Sequence, residues 1–147
     1  MRYFEDLEAG SVYELGSVVV DEAEVIEFAT RFDPQPFHID PVAAAESHFG
    51  GIVASGWHTC AMFMRLFVDG FTKDTASMGS PGMDEVRWLA PVRPGDVLTG
   101  WFTIESTRAS ATKPDRGLIE ASWEMRNQDG VTVMSMRGIG MYGRRPA

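Results

Sequence analysis

The chain has 147 residues, 44% of them hydrophobic and 23% charged, enough for one packed core and too few for two. Its 13 Lys and Arg against 21 Asp and Glu leave a net charge of −8, which argues against nonspecific binding to nucleic acid or to an acidic membrane surface. The single cysteine, Cys60, excludes an intrachain disulfide and a cysteine-held zinc, and fits a reducing compartment. Met1–Asp6 is acidic where a secretion signal would be basic and then apolar. The richest apolar run, Cys60–Val68, is cut by Arg65 and falls short of the ~20 residues of a membrane span. The expectation is one cytoplasmic domain covering residues 1–147.

Leu15–Val20 is a β-prone run, and Asp21 follows it with Glu24 at capping-box spacing. Val25, Phe28, Ala29 and Phe32 recur at helical spacing, so a short amphipathic helix is predicted. It must stop near Asp33, because Pro34 and Pro36 hold the residues before them extended. Val42–His48 allows one or two more helical turns, ended by Gly50-Gly51. A longer helix is predicted over Gly56–Asp69. His58, Met62, Arg65 and Asp69 fall on one narrow stripe of it. Trp57, Cys60, Ala61, Phe63, Met64, Leu66, Phe67 and Val68 make the rest apolar, so a sheet should wrap it.

From Met83 the period changes to two. Asp84, Val86, Trp88 and Ala90 alternate with Met83, Glu85, Arg87 and Leu89. Pro94-Gly95 is a turn, Val97–Glu105 a strand and Arg108–Gly117 a loop. Ile119, Ala121, Trp123 and Met125 alternate with polar residues. Asn127–Gly130 then closes a hairpin into a last strand, Val131–Tyr142. There is no internal repeat. Four consecutive antiparallel strands, one early strand and one buried helix predict an α+β domain, and its open sheet edges predict a homodimer.

Chemistry concentrates in Asp33-Pro34-Gln35-Pro36-Phe37-His38-Ile39-Asp40-Pro41, which holds two carboxylates, a carboxamide and an imidazole on a proline-stiffened loop. Asp33 and His38 can face one small volume and supply an acid and a base near neutral pH. The same spacing also fits a purely structural loop, in which Asp33 ends one helix, Asp40 caps the next and His38 packs between them. His38-Ile39-Asp40 lacks a second ligand cluster, so no metal is expected. His48 reads as a surface histidine and His58 as a helix-face one. At the start of the long helix Ser55 is an N-cap candidate, and Gly56 allows close approach to unpaired backbone N–H groups able to hold a developing oxyanion. An ordinary capped helix begins the same way.

Together, the two segments resemble the MaoC-like dehydratase family of (R)-specific enoyl-CoA hydratases. That family's pattern Asp-x-Asn/Gln-Pro-x-His-x-Asp is met at Asp33, Gln35, Pro36, His38 and Asp40. Ala43 or Ala44, Val53-Ala54-Ser55-Gly56 and Ala90–Asp96 are similar as well. The resemblance implies a hotdog fold, an antiparallel sheet wrapped around a long central helix, in a dimer. It implies Asp33 and His38 as the catalytic pair activating water at the β-carbon of a trans-2-enoyl thioester, with the Gly56 N–H as oxyanion donor. Gln35, Ser55 and Trp57 are the expected residues on the substrate side, Gln35 also fixing the loop by bridging backbone groups. The substrate the resemblance implies is an acyl-CoA, with no other cofactor.

Phe32 and Gln35 stand where the family more often has Gly and Asn. A helix serine that in some relatives orients the aspartate would fall at Met64, so that support is missing or supplied elsewhere. Two other readings share the fold: an acyl-CoA thioesterase and a noncatalytic acyl-binding subunit. Thioesterases of this fold, and the acyl-carrier-protein dehydratases that resemble them, usually carry a carboxylate within the helix, and Gly56–Val68 has none. Trp57, Met62, Phe63 and Met64 fit either an acyl tunnel or plain core. Arg87, Arg93, Lys113 and Arg116 are candidates to meet CoA phosphates or are solvated surface charges.

Overall fold

A computed structural model describes residues 1–147. Strands β1 (Val12–Val19), β2 (Gly82–Trp88), β3 (Val97–Ala109), β4 (Arg116–Arg126) and β5 (Thr132–Gly143) form one antiparallel sheet in the order β1-β3-β4-β5-β2. Helices α1 (Glu22–Phe32), α2 (Pro36–Ile39) and α3 (Pro41–Glu46) follow β1, and α4 (Gly56–Gly70) lies against the sheet. This is the hotdog fold. None of the helices is long and apolar enough to cross a membrane.

The alternation read from the sequence sets the core. Ile119, Ala121, Trp123 and Met125 of β4 and Leu98, Phe102 and Ile104 of β3 are buried on one sheet face. Phe63 and Phe67 of α4, and Phe71 just after it, pack onto that face. The Phe67 ring meets Phe102 at 4.9 Å and Trp123 at 6.0 Å, both edge-on. Full burial of each such ring stabilises the fold by about 1.5–3 kcal/mol. The far end of α4 crosses β1 closely. A Cβ at Gly70 would sit 2.9 Å from the Leu15 carbonyl oxygen, so only glycine allows the approach.

Two expectations need correction. β3 continues past Glu105 to Ala109, because Ser106–Ala109 pairs with Gly117–Glu120 of β4 beyond the edge of the core. That leaves the intervening loop shorter than Arg108–Gly117. The surroundings of α4 also differ. Trp57 is 61% and Met64 50% exposed, so the sheet covers only part of its apolar surface. His58, placed on the polar stripe, is buried instead because α1 lies over it: Phe28 stacks on the imidazole at 4.7 Å and Glu24 bonds to it. Outer strands β1 and β2 each keep one unpaired edge.

Candidate active site

The Asp21 carboxylate caps α1 by accepting from the Glu24 N–H. The helix ends at Asp33, whose N–H still donates to the Ala29 carbonyl while its backbone leaves helical geometry ahead of Pro34. Asp40 Oδ1 accepts from the N–H groups of Val42 and Ala43 and so caps α3. The structural arrangement of this segment is therefore real: Asp33 ends α1, the single turn α2 follows, and Asp40 caps α3. It does not consume the Asp33 side chain, which turns to His38.

His38 is 6% exposed. Its Nδ1 lies 2.6 Å from the Val53 carbonyl oxygen, and its Nε2 lies 3.3 Å from Asp33 Oδ2. A carbonyl only accepts, so Nδ1 carries a hydrogen and Nε2 is the ring nitrogen turned to the carboxylate. That contact is held by a proton on Nε2 or, with a neutral ring, by a water donating to both groups. Asp33 Oδ2 accepts from the Ser55 hydroxyl and Oδ1 from the Gln35 amide, each at 2.7 Å. Burial works against the charged carboxylate. These two donors, with the adjacent imidazole, outweigh it and hold Asp33 below the usual carboxylate range.

Across from the pair begins α4. As its first residue, Gly56 has an N–H with no intrahelical partner, at the positive end of the helix dipole. The indole of Trp88, on edge strand β2, lies on the Gly56 α-carbon and donates through Nε1 to the Gly56 carbonyl at 3.0 Å. Any side chain at position 56 would collide with that ring. Asp33, His38, Gly56, Trp57, Trp88 and Val133 line one cavity of about 440 Å³. No group of three or more His, Cys, Asp or Glu side chains converges there or elsewhere.

Asp33, Gln35, His38, Gly56 and Trp57 thus meet in one place, as the sequence predicts. Ser55 does not face the cavity. It is wholly buried at the N-cap position, and its hydroxyl makes no cap bond but serves Asp33. It supplies the orienting serine absent at position 64, from the start of the helix instead of its middle. Gln35 departs from expectation too, since its amide reaches Asp33 and not backbone groups. Of the tunnel candidates, Met62 points toward α1, Phe63 belongs to the core, and only Trp57 reaches the cavity. Trp88 was missed as a site residue; strand alternation placed it on a face but gave no sign of its contact with Gly56.

The basic candidates separate as well. Arg87 pairs with Glu85, and Arg116 pairs with Asp115. Arg93 makes no ion pair; its Nη2 donates to the carbonyl of Phe49, on the cavity rim.

A family model described as "MaoC like domain" matches residues 7–119, a span that holds Asp33, His38 and Gly56. The chain belongs to the MaoC-like family. A MaoC-like dehydratase from Rhodospirillum rubrum is 38% identical, with each chain covered completely and a TM-score of 0.92. The 3-hydroxyacyl-thioester dehydratase Z of Mycobacterium tuberculosis (strain ATCC 25618 / H37Rv) is 35% identical over 103 residues, 65% of this MaoC-like chain and 68% of that one. The (R)-hydratase from A. caviae involved in PHA biosynthesis shares the fold, with a TM-score of 0.73 at 23% identity over 97% of this chain and 99% of that one.

Proposed function

We propose that this MaoC-like protein reversibly hydrates a trans-2-enoyl-CoA to the (R)-3-hydroxyacyl-CoA. The observation that carries the reading is the facing of Asp33 and His38 Nε2 at 3.3 Å, opposite the free start of α4, in one cavity. Water donates one hydrogen to each acceptor and is thereby aimed at the β-carbon. As its oxygen bonds that carbon, neutral His38 takes a proton at Nε2, being a better base than a carboxylate held low by the Ser55 and Gln35 donors. The alkene electrons move toward the thioester, and the enolate oxygen is met by the Gly56 N–H. The imidazolium then returns a proton to the α-carbon on the same face, giving syn addition with no atom gained or lost. The carboxylate of Asp33 orients the water and stabilises the imidazolium. The names of the mycobacterial dehydratase and of the (R)-hydratase support this reaction class.

Coenzyme A is polyanionic while the chain is not basic, so the phosphates need a local cation. Arg93, unpaired by any carboxylate and bonded to the rim at Phe49, fits best. A second copy of the chain is the natural cover for the open edge of β2 and the exposed Trp57, Met64 and Leu89, and makes the protein a homodimer. Against thioester hydrolysis, the sole carboxylate on α4 is Asp69, half exposed and paired with Arg65 at the far end. Crotonyl-CoA incubated with the wild-type protein is expected to yield 3-hydroxybutyryl-CoA with no free thiol. Release of CoA from butyryl-CoA, without hydration of crotonyl-CoA, would replace this reading with hydrolysis.

A further inference from the structure

The reaction cavity has two unlike ends. One carries exposed Pro91, the Phe49 rim and Arg93, and so suits the nucleotide half of a CoA thioester. The other is a floor of Thr59 and Val133, each 1% exposed, where the carbons beyond the β-position must go. The next residue along each element, Cys60 and Met134, belongs to a wall. The Cys60 thiol meets the Met134 sulfur at 3.4 Å and also lies beside the Trp88 indole. Trp88 in turn pairs with Met134 across β2 and β5. Three side chains from three elements thus meet beside the floor, and of them Trp88, 45% exposed, lines the reaction cavity itself.

Behind that wall lies a second cavity of about 310 Å³, lined by Cys60, Phe63, Met64, Met83, Met136 and Trp123. Its walls are almost wholly apolar and rich in methionine, a side chain that reshapes easily around an alkyl guest. Nothing in the acid–base chemistry uses it. Cys60 lines it and lies beside Trp88, which lines the reaction cavity, so these two adjacent side chains link the two spaces.

Resting on the hydratase reading, we infer that Trp88, braced by Cys60 and Met134, is the residue that sets acyl-chain length. It holds the reaction cavity to short chains and shuts off an apolar extension able to take the distal carbons of a longer one. The bulk of the indole does this, not its N–H, since the N–H is spent on the Gly56 carbonyl.

The test compares crotonyl-CoA with trans-2-octenoyl-CoA in the wild type and in Trp88→Ala, Trp88→Phe and Cys60→Ala. Loss of the Gly56 contact lowers all rates of a Trp88 variant together, so the readout is the octenoyl-to-crotonyl ratio of kcat/KM within each protein. The wild-type ratio should lie well below one. In Trp88→Ala it should rise by about tenfold or more, since accommodating even one further methylene is worth at least about tenfold. Cys60→Ala should raise it less, and Trp88→Phe should leave it near the wild-type value. Calorimetric binding of butyryl-CoA and octanoyl-CoA, which cannot be hydrated, reads the same selectivity without turnover. An unchanged ratio in Trp88→Ala by both readouts, or a wild type that already prefers the longer chain, overturns the inference while leaving hydration of crotonyl-CoA untouched. A binding ratio that shifts in a protein that hydrates nothing would instead sink the hydratase reading and keep Trp88 as the chain-length selector.

Discussion

Two imidazole–carboxylate pairs flank the first turn of α4, His38 with Asp33 and His58 with Glu24. Both imidazoles are buried, and the distances are alike, 3.3 Å and 3.0 Å. Their ring nitrogens are used in opposite ways. The Val53 carbonyl takes the Nδ1 hydrogen of His38, which turns Nε2 to Asp33 and the cavity. Glu24 meets Nε2 of His58 and leaves Nδ1 buried with no partner. The carboxylates differ too. Asp33 accepts from Ser55 and Gln35 as well, while the Glu24 side chain is 60% exposed. Proximity of a histidine to a carboxylate is therefore no mark of a site. What sets the first pair apart is an Nε2 turned to a cavity, a carboxylate held ionised by two donors, and the unpaired start of α4 at the same cavity.

Substitutions that convert one pair into the other sharpen the contrast, and the largest effect belongs to His38. His38→Ala should fold, by circular dichroism, and lose about 10²–10⁴-fold in kcat/KM for crotonyl-CoA. Next comes Ser55→Ala, which removes a donor from the ionised carboxylate. A hydrogen bond to a charged group is worth about 1.5–3 kcal/mol, so the rate should fall about tenfold or more. The sign of the pH effect follows: the carboxylate loses stabilisation, its pKa rises, and the acid limb of the pH–rate profile moves to higher pH. Folding shifts in step. A depressed Asp33 stabilises the native state above the ordinary carboxylate range and loses that contribution as pH falls, and Ser55→Ala shrinks it. Arg93→Ala should raise KM for the CoA thioester severalfold with kcat kept, because it removes binding shared by ground and transition states. The smallest effect is Glu24→Gln, which should leave kcat/KM unchanged and cost about 1 kcal/mol or less in stability, the pair being open to solvent on one side.

Local pattern made much of this legible. The alternation of Ile119, Ala121, Trp123 and Met125 gave β4 and its buried face, and the prolines after Phe32 gave the end of α1. The loop residues Asp33, Gln35 and His38 declared themselves because they lie within six positions of one another. What stayed hidden depends on distant partners. The Ser55 hydroxyl serves a carboxylate 22 positions away, whereas the sequence offers a cap or, by resemblance, a place on the substrate side. His58 looked like part of a solvated stripe because its partner Glu24 lies 34 positions earlier, on a helix whose packing no periodicity specifies. Trp57 and Met64 were assigned to a wrapped surface on hydrophobicity, yet one chain has too little sheet to cover them.

In the proposed reaction Asp33 acts and Glu24 does not. Its most direct test is the rate of crotonyl-CoA hydration by folded Asp33→Asn against the wild type. The amide keeps the shape but loses the charge that holds water and imidazolium, so the rate should fall about 10²–10⁴-fold. A rate within about threefold of the wild type, too small for loss of an acid–base group, would contradict it.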